Sequence, residues 1–150
     1  MTGARSLLES LVVPIADRLA WVLPPTTDEN LVQWATFHGW DGAVDRQVVA
    51  RQAALNLVLR ALICYRLDAD ELPTSIPTHF ILAHSNSLLQ NLGISPQPFS
   101  YLDRFAVRVG VALHKSQIAA LTRALQCERR DVIGDAVRWA SSGPPGRLPN

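Results

Sequence analysis

The segment from Val44 to Leu67 is apolar on nearly every side of a helix, and it constrains the fold more than any other part of the chain. A helix of this kind is stable in water only when other elements surround it, so the pattern predicts a central, buried helix. Asn56 lies within the segment and would need a hydrogen-bond partner there, which predicts a polar contact inside the core. Arg60 interrupts the apolar run, and the uninterrupted part is far too short to span a membrane. We therefore expect no membrane contact.

Capping residues and helix breakers divide the rest of the chain into shorter helices. Ser6 with Glu9, and Thr26 with Glu29, match the capping box, in which two side chains satisfy backbone N–H groups at the start of a helix. Pro14 predicts a kink or a restart in the first of these helices. The second is predicted to end at Gly39, and further helices are predicted over residues 78–92, over residues 116–126 and along the apolar stripe that begins at Val132.

Residues 105–113 fit two interpretations. In the first, large apolar residues alternate with smaller or polar ones, as in a half-buried strand: Phe105, Val107, Val109, Val111 and Leu113. In the second, the apolar residues have helical spacing: Leu102, Phe105, Ala106 and Val109. The valines and the glycine at position 110 favour the strand. The predicted fold class is mainly α, a helical bundle with one short strand near residues 105–113 in the favoured interpretation.

The charge of the chain changes sign near a proline-rich segment. The formal net charge is +1, but residues 1–98 carry six Arg or Lys against nine Asp or Glu, whereas residues 99–150 carry eight against four. This distribution excludes a chain that is basic throughout. The change coincides with Ser95-Pro96-Gln97-Pro98, which cannot be helical. We expect an acidic helical domain over residues 1–94, a basic segment over residues 99–140 that is either strand-helix-helix or helical, and a flexible tail over residues 141–150.

No motif that carries catalysis, phosphate binding or metal binding occurs in the sequence. Glycine-rich phosphate loops, Gly-x-Ser-x-Gly, His-Glu-x-x-His and Cys-x-x-Cys are all missing. His79 and His84 are five residues apart, a spacing that does not place them on one helix face, and His38 and His114 stand alone. Zinc sites need three or four convergent ligands. We therefore expect no catalytic site, no metal and no cofactor, and a function in binding.

The cysteines and tryptophans are predicted to be structural. Cys64 and Cys127 lie in different predicted helices, and because the chain shows no export signal we expect a cytoplasmic protein with two buried, reduced thiols. Trp40 lies between two turn glycines, where it either fills a gap between helices or is an exposed anchor. Tryptophans on apolar helix faces usually belong to the core, which is the prediction for the other three, Trp21, Trp34 and Trp139.

Basic side chains are concentrated after residue 99 and form the candidate binding surface. One interpretation is a solvated face that balances the acidic first part. The other is a phosphate-binding surface, because arginines at a helix N-terminus add their charge to the free backbone N–H groups there. Arg129 and Arg130 stand at the start of the last predicted helix, where cations are unfavourable unless an anion binds, and this favours DNA. The candidate DNA-contacting residues are Arg108, Lys115, Arg123, Arg129, Arg130 and Arg138, with Arg104 in the same cluster.

The order of elements over residues 105–140 resembles the ribbon-helix-helix family of DNA-binding proteins. The resemblance is carried by residues 107–113 as the ribbon, residues 116–126 as the first helix and residues 129–139 as the second. In that family the strand pairs with its copy in a dimer and enters the major groove, while the start of the second helix binds a phosphate. The resemblance therefore implies a homodimer. By the same resemblance, the residues of this chain that face the groove would be Arg108, Gly110 and Ala112. Arg130 with Asp131 would begin the phosphate-binding helix.

Residues 53–66 are similar to the buried helix in the helical N-terminal region of adenine-specific DNA methyltransferases from restriction-modification systems. Residues 131–135 are similar to the helix that precedes the catalytic domain of those enzymes. The Asn-Pro-Pro-Tyr motif and the glycine-rich cofactor loop of the enzymes are absent from the sequence. This second resemblance therefore implies a chain that does not methylate by itself.

These features together predict a non-catalytic, DNA-binding helical protein, a regulator that acts as a dimer through its basic C-terminal part. A single strand would leave its backbone groups unpaired, which is the reason to expect a dimer in the ribbon-helix-helix interpretation. The alternative is a helical interaction subunit or module of a larger nucleoprotein, restriction-modification or defence assembly. Its basic face would lie along nucleic acid or another chain.

Overall fold

A computed structural model of the protein describes residues 3–40, 43–94 and 100–142. Within these residues the chain forms two strands, β1 (Ser75–Pro77) and β2 (Ala112–His114), and a 3-10 turn at Ala69–Glu71. The helices of the same residues are α1 (Ala4–Val22), α2 (Glu29–Phe37), α3 (Arg46–Asp68), α4 (Thr78–Asn91), α5 (Ser100–Val109), α6 (Lys115–Gln126) and α7 (Val132–Ser142). The predicted fold class, mainly α with a short strand near residues 105–113, is confirmed.

α3 lies at the centre of the fold, as its apolar sequence predicts. Helices α1, α4, α5, α6 and α7 all pack against it, and residues such as Val49, Leu57 and Val58 are buried along its length. Asp45 caps the helix, because its carboxylate accepts a hydrogen bond of 2.9 Å from the backbone N–H of Gln47. With the 3-10 turn, α3 is long and apolar enough to cross a membrane, but most of it is buried by the other helices, which makes this weak evidence for a span.

α1 runs without interruption through Pro14, whose ring lies on the exposed side of the helix. The opposite side is a buried stripe on α3 that includes Leu8. The docking of this stripe keeps the helix continuous where the proline predicts a restart. Arg46 of α3 closes the helix, because its Nη2 group donates hydrogen bonds of 2.6 and 2.8 Å to the carbonyl oxygens of Ala20 and Leu23. Such carbonyls have no partner within the helix itself.

The two predicted capping boxes are replaced by other arrangements. α1 already begins at Ala4, so Ser6 lies inside the helix and does not cap it. α2 is capped by Asp28 and not by Thr26, because the Asp28 carboxylate accepts a hydrogen bond of 3.0 Å from the backbone N–H of Leu31. The N-cap in the structure is Gly3 for α1, three residues before Ser6, and Asp28 for α2, two residues after Thr26.

Residues 105–109 belong to α5, so the helical interpretation is the correct one for this part. Leu102 and Phe105 are buried on one side of the helix. Gly110 follows the helix with a φ of 68°, a left-handed conformation that glycine adopts without strain. Arg108 therefore projects from a helix, and not from the strand that the ribbon-helix-helix resemblance implies.

β2 finds its partner strand within the same chain. It pairs antiparallel with β1, with Leu113 opposite Ile76, and both side chains are buried. The pairing extends to the start of α6, where the backbone N–H of Lys115 donates to the carbonyl oxygen of Thr74 at 2.8 Å. Because β2 is paired in this way, the argument for a dimer from an unpaired strand does not apply.

The acidic and basic parts of the chain share one hydrophobic core. α1 packs against α5 and α6, and α3 packs against α6 and α7. Leu121 and Trp139 of the basic part belong to the same cluster of buried residues as Leu8 of the acidic part. The change of charge sign thus does not separate two cores. The proline-rich segment 95–98 lies outside the described residues, as does the predicted tail after Ser142.

The four tryptophans differ in exposure. Trp34 and Trp139 are buried, as predicted, and Trp40 is half-buried. The side chain of Trp21 is 87% exposed, so its prediction as a core residue is wrong. It follows Asp17 by one turn of α1, and the exposure of both shows that this side of the helix faces water.

The two cysteines also differ, and both are free thiols. Cys64 lies in the core, where burial raises the pKa of its thiol to about 11, so it remains protonated at neutral pH. Cys127 is exposed immediately after α6, contrary to the prediction of two buried thiols. The difference arises because Cys127 lies in the turn after that helix and not within it.

Candidate nucleic-acid interface

Arg60 of α3 fixes the position of α5 from inside the fold, and its side chain is only 4% exposed. Its Nη1 group donates to both carboxylate oxygens of Asp103 on α5, each at 3.0 Å. Nε donates to Ser85 Oγ at 2.8 Å, and Nη2 donates to the carbonyl oxygen of Leu82 at 2.8 Å and to Asn86 Oδ1. The five N–H donors of one guanidinium group therefore have five acceptors, and they link α3, α4 and α5.

The carboxylate of this ion pair is withdrawn from water. Burial raises the pKa of Asp103 above its ordinary value, while the hydrogen bonds and charge of Arg60 act in the opposite direction. Asp103 is committed to the inner side of α5 by its bonds to Arg60. It therefore does not neutralise the arginines on the outer side of that helix.

The outer side of α5 presents Arg104 and Arg108, which are exposed and one helical turn apart. The guanidinium carbon of Arg104 lies 4.5 Å from the ring centroid of Tyr101 and 5.2 Å from that of Phe105. The guanidinium carbon of Arg108 lies 5.7 Å from the Phe105 centroid. At exposed sites such cation–π contacts contribute about 0.5–1 kcal/mol. Within the described parts of the chain, no carboxylate lies within ion-pair distance of either arginine.

Aromatic rings continue this surface from α5 onto α2. The ring centroids of Tyr101 and Trp34 are 6.4 Å apart with an angle of 26° between the planes, and those of Trp34 and His38 are 4.8 Å apart. Burial and the nearby Asp28 carboxylate raise the pKa of Tyr101, so its hydroxyl is neutral. We use the name α5 surface for Tyr101, Arg104 and Arg108 with the underlying Phe105. It combines cations with ring faces, which suits phosphates and bases.

Three of the other candidate DNA-contacting residues lie on elements other than α5. Arg123 is exposed on α6, and Arg129 is exposed in the turn before α7. Among the residues that the structure describes, neither has a carboxylate within ion-pair distance. Lys115 turns toward the chain itself, because its Nζ group donates to the carbonyl oxygen of Leu72 at 3.4 Å. The structure therefore does not gather all the predicted cations into one patch.

Arg130 and Arg138 share the carboxylate of Asp135. Nη2 of Arg130 lies 3.5 Å from one oxygen of Asp135, and Nη2 of Arg138 contacts the other. Exposed ion pairs of this kind contribute little to stability. They do reduce the net positive charge at the N-terminal end of α7.

Carboxylates of the chain accept hydrogen bonds at the start of α7 and in the segment just before it. Oδ1 of Asp131 accepts a hydrogen bond of 2.9 Å from the backbone N–H of Gly134. Oε1 of Glu128 accepts hydrogen bonds of 3.2 and 3.4 Å from the backbone N–H groups of Arg129 and Arg130. Asp131 and Glu128 thus supply the negative charge near Arg129 and Arg130 for which a bound anion was expected. The placement of the two arginines is therefore no argument for phosphate.

Sequence reasoning placed Arg104 in the basic cluster but missed Tyr101, although both belong to the α5 surface. Their positions and that of Arg108 are separated by three and four residues, which is the spacing of neighbours on one helix face. This signal was hidden by the preference for a strand after Phe105.

Cavities and a histidine contact also lie outside the α5 surface. An apolar groove of about 630 Å³ lies between α3, α4 and α6, and a pocket of about 380 Å³ lies between α2, α3 and α7. His84 contacts the carboxylate of Asp68 at 3.0 Å. Within residues 3–40, 43–94 and 100–142, no group of three or more His, Cys, Asp or Glu side chains is placed to hold a metal ion.

Comparison of the chain with protein-family models, with curated proteins and with solved structures gave no match.

Proposed function

We propose that the protein binds DNA without catalysing a reaction, and that the α5 surface makes the principal contacts to phosphate. The observation that carries this proposal is the pair Arg104 and Arg108, which is exposed, lies over aromatic rings and is beyond ion-pair distance of every described carboxylate. Such cations release counterions from DNA when they neutralise phosphates, and this supplies affinity. The protein would be a regulator, and a dimer would present the surface twice.

The proposal does not require a strand in the major groove. Arg108 lies on a helix, and Arg123 and Arg129 would add phosphate contacts from α6 and from the turn before α7. Contacts to phosphate position a protein on DNA and carry no sequence information directly. We therefore expect binding with little sequence preference.

Replacing Arg104 and Arg108 together by glutamine is expected to weaken binding to a short random-sequence DNA duplex and to reduce its salt dependence. If each arginine neutralises one phosphate, the slope of log K against log salt concentration becomes less steep by about 1.8 in the double variant. The measurement is fluorescence anisotropy of labelled duplex with the full chain at several salt concentrations.

The matched control removes the same charge from α1 and α3. Arg18 and Arg66 are both exposed, and the Arg18→Gln/Arg66→Gln variant should retain the slope of the unmodified protein. The proposal fails if both double variants lose affinity equally, or if the unmodified protein does not bind duplex at low salt.

A second candidate function is that of a helical interaction subunit, and the apolar groove favours it. The rim of the groove includes Leu67, Leu92 and Ile94, each at least half exposed. Contiguous exposed apolar surface often marks an interaction site. We take the partner in this candidate to be a second copy of the chain, because a two-fold axis would cover both grooves at once.

Substituting Leu67 and Leu92 together by glutamate is expected to convert such a dimer into a monomer, because the charges cannot be desolvated at an apolar interface. Light scattering across a wide range of protein concentration measures the mass. Val32 and Val107 are exposed apolar residues outside the groove, and the Val32→Glu/Val107→Glu variant should remain dimeric. An unmodified protein that is monomeric at every concentration would eliminate the second copy as the partner.

A further inference from the structure

The pocket between α2, α3 and α7 has the size and the walls of a small-molecule site. Its volume of about 380 Å³ lies in the lower part of the range of about 300–1,000 Å³ that is typical of ligand pockets. Apolar contacts come from Leu55 and Leu59 of α3 and from Val137 of α7. Among the described residues that line it there is no Asp, Glu, Lys or Arg. The walls therefore suit a ligand without charge.

One wall consists of aromatic rings. Trp34 and His38 lie on and after α2 with their ring centroids 4.8 Å apart. Gly39 then has a φ of 82°, which turns the chain back so that the backbone N–H of Trp40 donates to the carbonyl oxygen of Ala35 at 3.0 Å. This turn brings the Trp40 side chain to the pocket, where it is half-buried. Trp34 is buried against His38 and Tyr101, so the rings left for a planar ligand to stack on are those of Trp40 and His38.

The polar side chains of the pocket include the amides of Gln52 and Asn56, beside the His38 ring and the Ser141 hydroxyl. The two amides are one turn apart on α3 and both half-buried. In the described part of the chain neither amide has a hydrogen-bond partner, so Asn56 does not make the core contact that its sequence position predicts. Each amide carries both a donor and an acceptor. Such groups can bind a ligand that has a donor and an acceptor side by side.

We infer that this pocket binds a neutral purine nucleoside through its base. The base stacks on the Trp40 and His38 rings, and its edge pairs with the amides, because Asn and Gln form two hydrogen bonds with the adjacent donor and acceptor of adenine. The described lining has no Lys or Arg to pair with a phosphate, which favours the nucleoside over a nucleotide. The pocket adjoins the α5 surface, because its Trp34 ring lies against Tyr101, but it contains neither Arg104 nor Arg108, so nucleoside binding and DNA binding can be tested separately.

The first test is a titration of the full chain with adenosine, followed by NMR of the tryptophan indole N–H signals. The signals of Trp34 and Trp40 are expected to shift in a saturable manner, whereas that of the exposed Trp21 on α1 stays in place. Uridine, which has a smaller ring system to stack, should bind more weakly. Absence of saturable shifts, or equal shifts at all three tryptophans, would overturn the inference.

The second test removes the amides and retains their approximate volume. The Gln52→Leu/Asn56→Leu variant should bind adenosine at least about tenfold more weakly, since each bidentate contact to a base contributes a factor of this size or more. Gln90 and Asn91 are exposed on α4, and Gln90→Leu/Asn91→Leu is the matched control with unchanged affinity. Unchanged binding in the first variant, or equal losses in both, would refute the assignment of the amides.

Discussion

Replacing Arg60 by alanine is expected to lower the free energy of unfolding by about 3–5 kcal/mol, because removing one partner of a buried ion pair leaves the other charge uncompensated. The variant would lose all five hydrogen bonds that connect α3 to α4 and α5. Asp103 would remain in its part-buried position without a cation. Urea-induced unfolding followed by circular dichroism measures the loss.

Arg66 lies on the same helix and is exposed, so Arg66→Ala should change stability by less than about 0.5 kcal/mol. Replacing both partners with apolar residues, as in Arg60→Met/Asp103→Leu, should restore much of the stability, because no buried charge then remains. If Arg60→Ala had as small an effect as Arg66→Ala, the described network could not be holding α5.

The loss caused by Arg60→Ala should also diminish in acid. Without the arginine, burial alone acts on Asp103 and holds its pKa above the value in the unfolded chain. A carboxyl group with a raised pKa in the folded state favours folding at low pH, and this contribution disappears as the pH rises through that pKa. Unfolding curves of the variant and the unmodified protein should therefore converge as the pH falls toward the carboxyl range.

Replacing Trp139 by alanine is the second change for which we expect a large effect, about 3–5 kcal/mol of stability for a buried tryptophan. The side chain is 2% exposed and belongs to the buried face with which α7 packs on α3. The guanidinium carbon of Arg51 lies 5.1 Å from its ring centroid, and Nη1 of Arg51 donates to the Trp139 carbonyl oxygen at 3.5 Å. The variant would lose the ring from both the core and this cation–π contact.

Hydrogen exchange distinguishes local from global effects of Trp139→Ala. The amides of α7 should lose protection first, because α3 is the helix on which α7 packs most extensively. Val137 is half exposed on the same helix, and Val137→Ala should leave the exchange pattern nearly unchanged. Uniform loss of protection across all helices would contradict the role of the ring as the anchor of α7.

The central helix could be predicted because its signal is local. A run of apolar residues from Val44 to Leu67 requires burial wherever the neighbours lie. The roles of Arg51 and Arg60 could not be predicted in the same way, since they appear in the sequence only as interruptions of the run. Their partners Trp139 and Asp103 are distant along the chain, and tertiary packing alone brings them together.

The segment after Phe105 shows where pattern reasoning is weakest. Valines at alternate positions fit a strand, while Leu102 and Phe105 fit a helix, and the sequence contains both signals. Burial of the helical set against the core determines the outcome as far as Val109. For the candidate site, this means that Arg108 could be predicted as an exposed cation, but its neighbours could not. The contact of Tyr101 with Trp34 joins two helices that no sequence pattern pairs.

The pairing of β1 with β2 has a consequence for how α5 can meet a partner. It closes a loop of chain that contains α4 and α5, and the backbone N–H of Thr78 reinforces the closure by donating to the carbonyl oxygen of Val111 at 3.1 Å. Asp103 holds α5, in the last third of that loop, to α3. An anionic partner would therefore meet a preorganised helix and not an arm that folds on binding. Association would require little loss of conformational entropy, and its entropy change would come mainly from released counterions.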